Sequence, residues 1–249
     1  MKLNTSIDGI AVGTNILDIE VPEALRKRHP SGLKFFDDAL GGKGFTPSAV
    51  GMFTGTPGAG KTTMMLELSN ALTHSGANVL FNTAEESLYQ LKMTVERLRL
   101  RSGFSAGQET MVPKLLKNCD ELRARNPNKP FFLIVDSLQC LNDGKYGDHQ
   151  TNSKTAQRSL SMITDYCKEN FCNAIVIGQV NKSGQMAGAN VLKHMVDFMV
   201  TLDVERKDED LVGCRVLQTE KNRFGGAGHT FFLTLRENGF QEVARVSIG

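Results

Sequence analysis

The octapeptide Gly55-Thr56-Pro57-Gly58-Ala59-Gly60-Lys61-Thr62 constrains this chain more than any other stretch. It satisfies G-x-x-x-x-G-K-[ST] at every fixed position. Ala49 to Thr54 before it is a mostly apolar run of strand length, and after it Met64, Met65, Leu68, Ala71 and Leu72 fall on one helix face. Strand, glycine loop and helix in that order distinguish a phosphate loop from a glycine-rich turn that only precedes a helix. The glycines let the backbone curl so that successive N–H groups point inward at a phosphate, and the helix start adds the positive end of its dipole. The motif therefore predicts nucleoside triphosphate binding. Lys61 would reach the β- and γ-phosphates and the Thr62 hydroxyl would ligate Mg²⁺, so ATP and Mg²⁺ are the expected cofactors. The cofactor-binding residues are Gly55, Thr56, Pro57, Gly58, Ala59, Gly60, Lys61, Thr62 and Thr63.

Length and composition set the frame for that loop. A chain of 249 residues with 40% hydrophobic and 22% charged content can be one large globular domain. The net charge of +2 does not point to nucleic acid by itself, so any DNA contact must come from local patches. No apolar run approaches the ~18–20 residues of a membrane span, and Met1-Lys2-Leu3-Asn4 lacks the apolar core of a signal peptide. Cys119, Cys140, Cys167, Cys172 and Cys214 include no C-x-x-C pair, which argues for reduced thiols in a cytoplasmic protein.

Residues 1–30 are weakly patterned and end in Arg26-Lys27-Arg28-His29-Pro30. They read as an N-terminal arm, either packed on a neighbouring subunit or solvated, ahead of one ATPase domain over 31–249. A short helix is expected from Leu33 to Leu40, stopped at Gly41-Gly42. Strands follow at Ala49–Thr54, Asn78–Asn82, Phe131–Asp136 and Asn173–Gly178, alternating with helices near 61–75, 87–100, 112–125 and 155–170. A short helix and strands near 198–204, 213–220, 229–236 and 240–247 complete the chain. Alternating strands and helices followed by a run of strands predict an α/β fold whose parallel sheet is extended by antiparallel strands.

Four further features can carry chemistry. Asp136, an acid at the carboxyl end of a buried apolar strand, is the Walker B arrangement; it would hold Mg²⁺ opposite Thr62, with Ser137 supporting the metal's water shell. Glu85, beyond the neighbouring strand, is the candidate to activate water. Thr83-Ala84-Glu85-Glu86 also fits a capping box, with Thr83 as N-cap and Glu86 reaching back to it, which leaves Glu85 to face the nucleotide. Gln179 ends another central strand, at the sheet edge where ligands bind, and can sense a γ-phosphate. Residues 181–190 have too few apolar side chains to pack; they form either a surface loop or a segment ordered by ATP or DNA. Lys221 and Arg223 flank Asn222 before Gly225-Gly226, as solvated cations or as a finger that reaches a neighbour's γ-phosphate.

From about Ser31 to Val243 the chain resembles the RecA-like ATPase core of the RadA (Sms) family of bacterial DNA repair proteins. The resemblance is carried by Leu40-Gly41-Gly42, the phosphate loop, Ala84-Glu85-Glu86-Ser87, Asp136, Gly178-Gln179-Val180-Asn181-Lys182 and His194-Met195-Val196-Asp197. Most specific is Lys221-Asn222-Arg223-Phe224-Gly225, which looks like that family's KNRFG signature. The resemblance implies a RecA-like P-loop NTPase core and a DNA-dependent ATPase of recombination and repair. It implies assembly into a hexameric ring or a filament and action on single-stranded DNA. It gives Lys221 and Arg223 a double role at the subunit interface and in DNA binding, and turns Lys182 toward the DNA channel. The family's four-cysteine zinc module and its C-terminal protease-like domain have no counterpart in this sequence, and Gln179 stands where the family usually has His. In that respect the chain is similar to short RecA-core proteins carried by phages. An ATP-switched annealing module and a regulatory ATPase acting on proteins are the alternative readings; a small-molecule kinase is disfavoured because no lid-like Arg cluster follows the phosphate-loop helix.

Overall fold

The computed structural model describes residues 10, 12–145, 152, 154–179, 189–226 and 229–247. Its frame is a single sheet of nine strands in the order β3-β2-β4-β5-β1-β6-β7-β8-β9. The strands are β1 (Val50–Thr54), β2 (Asn78–Thr83), β3 (Ser105–Gly107), β4 (Phe131–Asp136), β5 (Asn173–Ile177), β6 (Phe198–Val204), β7 (Arg215–Asn222), β8 (His229–Arg236) and β9 (Gly239–Ser247). β1 to β6 run parallel, and β7 to β9 add antiparallel strands on one side. The predicted α/β architecture is therefore the observed one.

The central strands β1, β2, β4 and β5 bury both faces, which explains their continuous apolar runs. Phe53, Phe81, Phe132, Ile134, Ile175, Ile177 and Val200 pack into one core, and Met52, Leu80, Leu133, Val135, Ala174 and Val176 into the other. The alternation is that of neighbouring residues pointing to opposite faces of a pleated strand. Helices α1 (Lys34–Ala39), α2 (Lys61–His74) and α3 (Leu88–Arg97) cover the first face through Phe36, Leu68 and Leu91. Helices α4 (Val112–Arg125), α5 (Thr155–Glu169) and α6 (Ala189–Met195) cover the second through Leu115, Ile163 and Leu192. Burying each of these side chains contributes about 1.5–3 kcal/mol.

Several local features differ from the sequence reading. The capping box is Ser87 with Gln90, not Thr83 with Glu86. Thr83 ends β2 instead, and its hydroxyl accepts the Glu86 N–H at 3.0 Å, a local turn after which the helix begins at Leu88 with Ser87 as its N-cap. The short edge strand β3 lies in a stretch expected to be loop and helix. It is held because Asn82 on β2 donates to the Glu109 carbonyl at 2.8 Å and accepts the Glu109 N–H at 3.0 Å. The arm is tied down at its end: His29 pairs with Phe45, and Arg28 donates to the Phe224 carbonyl.

Candidate nucleotide-binding site

The carboxyl ends of β1, β2, β4 and β5 lie side by side, and the segments leaving them build one cavity. It encloses about 540 Å³ and is lined by Pro57, Gly58, Gly60, Lys61, Thr62, Thr63, Glu85, Asp136, Ile177, Gln179 and Leu235. The loop leaving β1 curls because Gly55, Gly58 and Gly60 all adopt positive φ. A methyl built on Gly58 would enter open space with no protein atom within 4 Å, whereas one on Gly60 would lie 2.9 Å from the Phe240 ring. The curl therefore presents one open face, toward the cavity.

Lys61 sits over this loop, donating to the carbonyls of Gly55 at 2.8 Å and Thr56 at 3.1 Å. Burial pulls its pKa down, and the carboxylates of Asp136, Asp203 and Glu85 oppose that pull. The Thr62 hydroxyl donates to Asp136 Oδ2 at 2.6 Å. Burial pushes the Asp136 carboxyl up to about 6, the Thr62 bond opposes the rise, and the negative Glu85 and Glu86 add to it. An acid and a hydroxyl facing each other, with the acid short of positive charge, suit a small hard cation that takes its other ligands from phosphate and water. Among the described residues no cluster of three or more His, Cys, Asp or Glu side chains could hold a metal unaided. The donor set thus fits Mg²⁺ delivered with a nucleotide.

Glu85 closes the far wall. Its carboxylate accepts from the Ser137 hydroxyl and, at 2.6 Å, from Gln179 Nε2. Ser137 thus spends its hydroxyl on Glu85. The sequence-predicted residues Lys61, Thr62, Glu85, Asp136 and Gln179 therefore converge from four separate segments. Asp203, on β6, was not singled out from sequence, yet its carboxylate accepts the Thr56 N–H at 2.9 Å. Arg215 was also missed; its Nε donates to the Ala59 carbonyl at 3.1 Å. An acid near a strand end was the available signal for Asp203; nothing local marks Arg215.

Lys221 and Arg223 lie elsewhere. β7 starts beside the phosphate loop at Arg215, and Lys221 stands six residues further along, roughly 20 Å in an extended strand. There Lys221 Nζ donates to the carbonyls of Lys193 at 2.8 Å and Val196 at 2.6 Å, and Arg223 pairs with the buried Asp197 at 3.2 Å. Lys182, and with it most of the 181–190 segment, lies outside the described residues; residues 189 and 190 begin α6.

Solved structures of similar fold include a DnaB-like replicative helicase, at TM-score 0.73 and 14% identity over 86% of this chain and 61% of that one. A KaiC-like protein from Pyrococcus horikoshii matches at TM-score 0.69 and 17% identity, over 88% of this chain and 99% of that one. The fold is that of the RecA-like ATPases. In sequence, this RecA-like core is similar to the DNA repair protein RadA of Aquifex aeolicus, 29% identical over 222 residues, 89% of this chain and 47% of that protein. RadA of Haemophilus influenzae is 32% identical over 221 residues, 88% of this chain and 46% of that protein. The chain spans about half the length of the curated relatives it matches. No family model matches it. No helix among the described residues is long and apolar enough to cross a membrane.

Proposed function

We propose that this protein is a DNA-dependent ATPase of recombination and repair. The observation that carries the reading is the Glu85–Gln179 contact at 2.6 Å, beside the Thr62–Asp136 pair and over the phosphate loop. A site that only stored a nucleotide would need no carboxylate opposite the lysine. The similarity to RadA supports the connection with DNA repair.

In this reading residues 55–63 cradle the phosphates of ATP, with Lys61 on the β- and γ-phosphates. Thr62 and Asp136 would hold Mg²⁺, which would supply positive charge to offset that on the phosphoryl group. Glu85 orients and deprotonates the attacking water. Gln179 binds Glu85 and begins the chain segment that leads to α6, so loss of the γ-phosphate is passed along the backbone to Lys182 and the 181–190 segment, which grips single-stranded DNA. Lys221 and Arg223 are too far from this chain's own phosphate loop to act there. They complete the site of a second copy in a ring or filament, most simply a hexameric ring, and contribute to DNA contact. The ATPase domain comprises 31–249, with 1–30 as an arm, and the protein works in the cytoplasm.

Steady-state ATP turnover with and without single-stranded DNA, at low and raised salt, tests this. Turnover should rise several-fold with DNA at low salt, and the rise should fade as salt displaces phosphate contacts. Turnover indifferent to DNA at every salt concentration would remove the DNA-dependent part of the reading.

A further inference from the structure

Two side chains outside the phosphate loop hold it from adjacent strands. Asp203 on β6 accepts the Thr56 N–H at 2.9 Å, and Arg215 on β7 donates to the Ala59 carbonyl at 3.1 Å. The two strands are paired antiparallel, with Val204 opposite Arg215 and Asp203 opposite Val216, so the carboxylate and the guanidinium start from adjacent strands one residue out of register. Between their points of attachment the turn closes on itself through the Ala59 N–H on the Thr56 carbonyl at 3.2 Å. Gly55 is flush against β6, where a methyl would collide with the Leu202 carbonyl. The loop is thus seated on β6 at its start and gripped at both ends of its first turn.

We propose that Asp203 and Arg215 are positioning residues of the nucleotide site, bracing the Thr56–Ala59 turn so that its backbone is set for phosphate before phosphate arrives. This rests on the reading of the loop as an ATP site. A phosphate cradle needs N–H groups turned inward and carbonyls turned away, because a carbonyl dipole aimed at the anion repels it. Arg215 keeps the Ala59 carbonyl on the strand side. Asp203 takes the Thr56 N–H, which fixes the Gly55–Thr56 peptide unit, whose carbonyl receives Lys61 Nζ. Without either brace the turn must be ordered at the moment of binding, and that ordering lowers affinity. Thr62, Asp136 and Glu85 are positioned by α2, β4 and the β2 end, so the chemical step should be spared.

The test uses the whole chain, Mg²⁺ and ATPγS as the binding probe, with steady-state ATP turnover beside it. Asp203→Ala and Arg215→Ala should each raise Kd and KM by about three- to tenfold, the loss of one hydrogen bond, with kcat nearly unchanged. Asp203→Asn should bind close to wild type, because its amide oxygen still accepts the Thr56 N–H. An Asp203→Asn protein as weak as Asp203→Ala would overturn the proposal, since charge rather than the bond would then be at work. Wild-type Kd in both alanine variants would overturn it too. If Asp203→Ala fails to fold, Arg215→Ala carries the test, and an unchanged Kd there refutes the brace. Lys61→Ala separates the two readings. When it loses binding and both brace variants keep it, only the brace is wrong; when wild type binds no nucleotide, the site and its brace fall together.

Discussion

Glu67 lies on α2 one turn beyond the phosphate loop, and its carboxylate is buried at 8% exposure. It accepts the Phe240 N–H at 3.0 and 3.3 Å and so fastens the β8–β9 hairpin to the helix. Burial pushes its pKa from 4.5 up to about 7, against smaller opposing contributions from the Phe240 bond and Arg97. The rise from 4.5 to about 7 corresponds to about 3–4 kcal/mol. The protonated form is the one the native state favours. Its contribution is complete below the unfolded value near 4.5 and is lost as pH rises through about 7. Above pH 7 the native state carries the full cost of an unneutralised buried charge. Glu67→Gln removes that charge and keeps an acceptor for Phe240, at the cost of about 1 kcal/mol for an amide N–H group that must find a partner. The variant should therefore be more stable than wild type by about 2 kcal/mol at pH 8 and should lose that advantage by pH 5. Urea unfolding of both proteins without nucleotide, at the two pH values, measures it. An equal difference at pH 5 and pH 8 would refute the argument.

Two further perturbations probe the fold and the assembly. Gly51 faces the Phe198 ring across the β1–β6 pair, and a methyl there would fall inside the ring; Gly51→Ala should cost about 1–3 kcal/mol in urea unfolding, and an unchanged midpoint would show that the ring gives way freely. Arg223→Ala chains retain a complete phosphate loop, while Glu85→Gln chains retain a complete finger. If Arg223 acts between subunits, mixing the two inactive proteins should restore part of the turnover, whereas a role confined to its own Asp197 predicts no restoration.

The sequence carried what local chemistry determines. The phosphate loop, its strand and its helix were legible because glycine positions and apolar spacing are local signals. Asp136, Glu85 and Gln179 were legible because each ends or follows a recognisable strand, and ligands collect at such ends. The capping box was misplaced because Thr83 and Ser87 both sit three residues before a residue able to reciprocate, Glu86 and Gln90. The extension of β2 to Thr83 decided between them. Strand order was not legible, since nothing in β6 or β7 states that β6 lies beside β1 and β7 beside β6. Asp203 and Arg215 acquire their meaning only through that adjacency. The same holds for Lys221 and Arg223: their spacing suggested a finger, but their bonds to the end of α6 and to Asp197 depend on the β6–β7 register.

In the proposed function the loop holds a nucleotide for hydrolysis, with Glu85 acting on water. Phosphate release from Mg·ATP in a single turnover, by wild type and Glu85→Gln at matched nucleotide occupancy, tests it most directly. Glu85→Gln should bind ATP as tightly as wild type and release phosphate about 10²–10⁴-fold more slowly, the range for removing a general base. Equal rates of release in the two proteins would contradict it.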